Sequence, residues 1–182
     1  MHETSLGGTI VDYLTGEARE RTTYEDLRQA LARYLVEEKG YERELLKSRY
    51  PVAYEVDGER LEREADIAVF SQAGELRLIL LFCAGQINTY AREARAMARL
   101  ALPDPAPLAV VTDTREADLI AVRDGTVLAK GLAALPGREA MERLAQTYAY
   151  PALDAERRTK ESRILHTYTG FLKTCCGEVC TL

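Results

Sequence analysis

The segment Leu76–Cys83, LRLILLFC, constrains the fold of this chain more than any other stretch, because Arg77 is its only polar residue. A short apolar run without polar alternation buries both faces, which a strand does only inside a sheet covered on both sides. The neighbouring sequence supplies what such a strand needs. Ala65–Ser71 is β-rich and separated from it by QAGE, so an antiparallel pair is the simplest reading. Leu108–Val111 reads as a further buried strand ending at Thr112-Asp113. Two segments have helical spacing suited to covering the sheet. Thr23 followed by Asp26 signals a helix start, and Leu27, Ala30, Leu31, Tyr34 and Leu35 recur at helical intervals until Gly40. After Gly85, Ile87, Tyr90, Ala91, Ala94, Ala98 and Ala101 mark one face of a second helix, which PDPAP stops.

Between these elements, Tyr41–Ser48 reads as a short helix, and Pro51 starts an extended stretch that ends at the Asp57-Gly58 turn. Leu119–Val122 pairs with Thr126–Ala129 through Arg123, Asp124 and Gly125, and Arg138–Tyr148 is amphipathic and helical. From Pro151 onward, DAERRTKESR reads as a solvated charge run. It leads to Ile164, Leu165, Tyr168, Phe171 and Leu172 at helix-like spacing. The expected organisation is one domain over residues 1–150 and a helical extension with a Cys-rich tail over 151–182.

At 182 residues and 47% hydrophobic content the chain can bury one sizeable core. It has no long apolar span and no basic-then-apolar leader, so the expectation is a cytoplasmic protein with no membrane partner. The net charge of −5 gives no general attraction to polyphosphate, so any DNA contact has to be weak or use a local basic face. Cys175, Cys176 and Cys180 crowd the last eight residues while Cys83 lies in an apolar strand, which is not a disulfide framework. Cys83 reads as a small buried hydrophobe. The tail cysteines, with His166, offer up to four ligands for zinc or an iron–sulfur centre, although their spacing departs from C-x₂-C pairs. The alternative is a tail of reduced thiols.

The order helix, hairpin, central strand, helix, strand is carried by TTYEDLRQAL, GYERELLKSRYPV, EADIAVF and PLAVVTDT. It resembles the N-terminal nuclease domain of type I restriction enzyme R subunits, and more broadly the PD-(D/E)xK superfamily, over residues 8–135. The resemblance implies an α/β fold: a restriction-endonuclease-like mixed sheet flanked by helices, here with a C-terminal helical extension. It also implies a cleft in which a helix Glu, a strand Asp and a following Glu-x-Lys converge. There two carboxylates hold Mg²⁺ and the Lys orients the attacking water, the tasks of a hard cation on oxygen ligands in phosphodiester hydrolysis.

Matched position by position, Glu25 takes the place of the helix acid and Asp66 that of the strand Asp. The Glu-x-Lys pair falls on Phe82-Cys83-Ala84. Phe82 and Ala84 share a strand face with Leu78 and Leu80, and an apolar lining cannot bind Mg²⁺. Glu75 lies about 30 Å from Ala84 along an extended strand, too far to replace it. Gln86 is nearer but neutral, and neither residue replaces the lysine. Arg28 and Gln29 match the family pattern yet read as helix-surface residues, as do Arg92, Arg95 and Arg99 on the second helix.

Three functions follow from this reading. The first is a type I R-subunit N-terminal-like domain, catalytically impaired and without a cofactor, serving as a nucleic-acid-associated or interaction module. Its partners would be DNA, restriction-modification subunits or other proteins. The second is a Mg²⁺-dependent endonuclease with rearranged ligands, using Asp66, Glu25 and Gln86. The third is a metal or redox module built on Cys175, Cys176, Cys180 and His166.

Overall fold

Burial of Leu76–Phe82 organises the molecule around it, since Leu78, Ile79, Leu80 and Leu81 are each at most 2% exposed. The computed structural model of the chain describes residues 3–83 and 86–177, the side chains of 134 and 170–177 aside. An antiparallel hairpin, β1 (Ser5–Val11) and β2 (Ala18–Thr22), comes first and leads directly into helix α1 (Thr23–Arg33). The main sheet follows: β3 (Leu46–Val56), β4 (Glu59–Phe70), β5 (Leu76–Phe82), then helix α2 (Ile87–Leu100) and β6 (Leu108–Thr112), β7 (Ala117–Ala121) and β8 (Val127–Lys130). Helices α3 (Arg138–Thr147) and α4 (Ala155–Gly177) complete the chain.

The six main-sheet strands lie in sequence order. Only β5 and β6 are parallel, joined by the α2 crossover, and the other neighbours are antiparallel. This is the expected α/β architecture, a mixed sheet flanked by helices. Its two faces carry separate cores. Leu31 of α1, Leu35 just after it, and Met141 and Ala145 of α3 meet Ile67, Val69, Leu78, Leu80 and Val110 on one side. Ala94, Met97 and Leu100 of α2 meet Ala68, Ile79, Leu81 and Val111 on the other, where Leu165 of α4 joins the same cluster. Burial on both faces explains why β5 reads as a continuous apolar run.

Several local expectations change. Residues 41–48 do not form a helix: only Arg43–Leu45 make a single 3₁₀ turn, and Leu46 already begins β3. Leu46, Lys47 and Ser48 pair with Val69, Ala68 and Ile67, so cross-strand pairing overrides the helical preference of ELLK. The cap of α1 is Thr22 rather than Thr23, its hydroxyl accepting from the Glu25 amide at 3.0 Å. The charged stretch after Pro151 is not wholly solvated, because α4 includes it and buries Glu161 and Ser162.

One irregularity bears on the site. In the β3–β4 ladder Ser48 pairs with Ile67 and Tyr50 with Ala65, but Arg49 and Asp66 between them form no bridge, and Arg49 has a φ of 50°. Leu46 belongs to the α1-side core while Val52 and Tyr54, at the same parity, belong to the α2-side core. Ala65 and Ile67 are split between the two cores in the same way. Strict alternation would forbid this. Both strands therefore exchange faces at Arg49 and Asp66, and the strained residue sits where the candidate acid is presented.

Candidate functional site

Glu25 and Asp66, matched separately in sequence, are brought together by one residue between them. Arg28, one turn after Glu25 on α1, donates to Glu25 Oε2 through Nη1 at 2.5 Å. It also donates to Asp66 Oδ1 through Nη2 at 2.7 Å and Nε at 3.1 Å. The other oxygen of Asp66 accepts the Phe82 amide at 2.7 Å. Arg49, turned inward by its left-handed backbone, donates to Glu25 Oε2 at 2.7 Å and reaches Glu64 at 3.3 Å. Gln29 donates to Glu25 Oε1 at 2.6 Å. Gln29 Oε1 in turn accepts the Tyr13 amide at 2.5 Å, which ties the β1–β2 hairpin to the cleft. Asp12 anchors that hairpin, accepting from the Leu14 and Thr15 amides, the Ser48 hydroxyl and Arg19.

Glu25 has no exposed surface, and Arg28 and Gln29 are almost as deeply buried, so the reading of both as helix-surface residues is overturned. Their partners lie on α1, the hairpin and β4, and only folding assembles them. Burial alone would raise the Glu25 carboxyl. The hydrogen bonds from Arg49 and Gln29 and the positive charges of Arg28 and Arg49 outweigh it and hold the group below its ordinary range.

Phe82, matched in sequence to the first of the two Glu-x-Lys positions, is half-buried, its ring meeting that of Tyr24 edge-on at 5.1 Å. Ala84 lies outside the described residues. Gln86 is exposed, the residue before α2, and its side chain does not cap that helix. Cys83 is buried and donates weakly to the Thr112 carbonyl at 3.4 Å. Desolvation, with Asp113, Asp66 and Glu93 nearby, pushes its thiol up to about 12, which fits an inert core residue.

The fit of this cleft to Mg²⁺ is poor. Asp66 and Glu25 already accept from two guanidinium groups, an amide side chain and a backbone amide, and the next strand adds an aromatic ring. A cation placed beside the Arg28 charge would meet a repulsion of about 4 kcal/mol per unit charge at 4 Å in an effective dielectric of about 20. Among the described residues no group of three or more His, Cys, Asp or Glu side chains converges as metal ligands.

A buried acid that the sequence did not single out lies on the opposite face. Glu93 of α2 is fully buried; Oε1 accepts from Arg63 at 3.0 Å, and Oε2 has no partner. Desolvation raises its carboxyl, Arg63 opposes that, and the charge of Asp66 reinforces it. Its helix position, between Arg92 and Ala94, carries no pattern by which it could have been found.

The cysteine reading falls mostly outside the described residues. Cys175 and Cys176 lie in the last turn of α4 without described side chains, and Cys180 lies beyond it. His166 is exposed, its ring 6.4 Å from that of Tyr54. No helix among the described residues is long and apolar enough to cross a membrane.

Mixed sheet, flanking helices and a cleft with acids from α1 and β4 define a restriction-endonuclease-like domain. The family described as "Type I restriction enzyme R protein N terminus (HSDR_N)" matches residues 23–136, and the chain belongs to that family. It is also similar to a solved structure, that of the type IIG restriction endonuclease BpuSI, at 16% identity and a TM-score of 0.39. That similarity covers 79% of this chain and 16% of the other, so the chain spans a small part of that enzyme's length. No curated protein matches the chain.

Proposed function

We propose that this restriction-enzyme R N-terminal domain has lost metal-dependent DNA cleavage and works as a nucleic-acid-associated or protein-interaction module. The observation that carries the reading is the Arg28 guanidinium bridging Glu25 and Asp66. In this cleft a fixed organic cation neutralises the acids that a nuclease would offer to Mg²⁺. Phe82 supports it further: its amide binds Asp66, but its side chain supplies neither an oxygen ligand nor a proton-handling group. Hydrolysis of a phosphodiester needs charge neutralisation on the phosphoryl oxygens and an activated water. Arg28 and Arg49 are both committed to carboxylates, and a guanidinium does not give up a proton near neutral pH.

The test is incubation of the purified chain with supercoiled, linear double-stranded and single-stranded DNA in Mg²⁺ or Mn²⁺. The expected outcome is no metal-dependent cleavage above a metal-free control. Cleavage that disappears in Asp66→Ala would overturn the reading in favour of a nuclease with rearranged ligands.

A further inference from the structure

Tyr13, the residue after the buried anchor Asp12, has two guanidinium groups over its ring. The guanidinium carbon of Arg43, in the 3₁₀ turn, lies 4.6 Å from the ring centre, and that of Arg33, at the end of α1, lies 5.6 Å from it. Three separate pieces of chain thus converge: the β1–β2 connection, the last turn of α1 and the turn before β3. The Tyr13 amide donates to Gln29, one turn before Arg33 on the same side of α1. The cluster therefore lies along the helix from the Glu25 cleft but outside it. Both arginines are exposed.

Unlike Arg28 and Arg49, these two guanidinium groups have no hydrogen bond or ion pair among the described residues. A cation held over an aromatic face has its position fixed without gaining a hydrogen-bond acceptor, so the N–H donors of both forks stay available. The acids nearby in sequence do not fill the gap. Glu37 stands four residues after Arg33, the spacing at which an α-helix sets an ion pair. Here Tyr34–Glu38 forms a π turn, a feature that recurs at functional sites, and Glu37 instead accepts from the Tyr13 hydroxyl at 3.2 Å. Glu42, beside Arg43, is engaged by Arg138 at 3.5 Å and by the Gln72 side-chain amide. Glu44, on the other side of Arg43, makes no ion pair among the described residues.

We infer that Arg33 and Arg43, held on Tyr13, grip the phosphate backbone of a nucleic acid. Each planar fork donates two parallel N–H bonds to phosphate oxygens, and two forks gathered on one ring suit neighbouring phosphates of a strand. A chain of net charge −5 has no general attraction for polyphosphate, so a backbone contact needs a local basic site of this kind. The inference rests on the nucleic-acid side of the proposed function and gives it a surface, one that uses none of Glu25, Asp66 and Phe82.

Fluorescence anisotropy of a labelled short oligonucleotide tests it, duplex in one arm and single strand in the other, titrated with the full chain in EDTA. Saturable binding that weakens with salt is expected in at least one arm, and unlabelled poly-glutamate of equal charge should compete poorly. Arg33→Gln and Arg43→Gln should each weaken binding about threefold and lower the slope of log affinity against log salt by about one. Arg143→Gln, an equal charge change on exposed α3 surface, should leave that slope unaltered. Two exposed positions keep the test decisive if one variant fails to fold. No binding in either arm, unchanged affinity and slope in both variants, or competition by poly-glutamate as strong as by unlabelled oligonucleotide would overturn the inference. Because metal is absent, failure here leaves the cleavage assay untouched, and Asp66-dependent cleavage there would refute the loss of catalysis while leaving this site standing.

Discussion

The two faces of the sheet treat their charged groups in opposite ways. On the α1 face, Glu25 accepts from Arg28, Arg49 and Gln29, and Asp66 accepts from Arg28 and the Phe82 amide, so the buried acids all have donors. On the α2 face, Glu93 has one donor and an orphan oxygen among the described residues, and Arg95 Nε is buried without an acceptor among them. Complete mutual satisfaction is what a structural network needs, and incomplete satisfaction leaves groups free to meet something else. The α1-side cleft is thus the self-contained region, and the opposite face keeps buried polar atoms without partners among the described residues.

The largest effect that could break this contrast is on Arg28. Arg28→Ala removes the cation that Glu25 and Asp66 share, leaving each with fewer donors, and should cost about 3 kcal/mol in urea unfolding. Arg95→Ala, which removes no internal partner, should stay within about 1 kcal/mol of wild type. Equal losses in the two variants would dissolve the distinction between the faces.

A smaller effect is expected where α4 supplies the acid that Arg92 and Arg99 share. Glu161→Ala should cost about 2 kcal/mol, because its partners are partly exposed. Hydrogen exchange should rise along α4 before it rises in β5. Gly125→Ala should cost about 1 kcal/mol or somewhat more, as a φ of 87° disfavours any side chain and the added methyl displaces the Arg95 guanidinium. A neutral outcome there would mean that Arg95 is not seated against the turn.

The finest distinction is between the two buried glutamates, whose pH dependences have opposite signs. The Glu25 carboxyl lies below its ordinary 4.5, so its contribution is present above 4.5 and is lost as pH falls through the lowered value. The Glu93 carboxyl lies above 4.5, so its contribution is full below 4.5 and is lost as pH rises through the raised value. Unfolding midpoints across this range should show Glu25→Gln losing stability relative to wild type as pH rises. Glu93→Gln should gain stability relative to wild type over the same rise. Parallel pH profiles would contradict the assignment.

The sequence was most legible where burial leaves a one-dimensional trace. Leu76–Cys83 announced a strand covered on both faces, and the spacing of Leu27, Leu31 and Leu35 announced α1, because periodicity follows from which side is buried. The β1–β2 hairpin left no such trace: its strands are short, mostly exposed and interrupted by Gly7 and Gly8. The start of β3 was misread because ELLKSRY favours a helix in isolation and is strand only through its pairing with β4.

At the site, Glu25 and Asp66 could be placed by matching the family pattern, and the substitution at Phe82 could be read off directly. The bridge between the two acids could not. Arg28 meets an Asp66 that lies 38 residues away, and an arginine on a helix looks the same in sequence whether it faces water or a buried carboxylate. The same blindness made Arg92, Arg95 and Arg99 look like a solvated face, since Glu161, the acid that covers two of them, belongs to a helix more than sixty residues further on.

The central claim, that a guanidinium group takes the place of a metal between Glu25 and Asp66, is tested most directly by electron paramagnetic resonance of Mn²⁺ titrated into the full chain. The account predicts that the free aqueous Mn²⁺ signal grows in proportion to added metal, as it does in buffer. Loss of about one equivalent of that signal per chain, restored by Asp66→Asn, would contradict it.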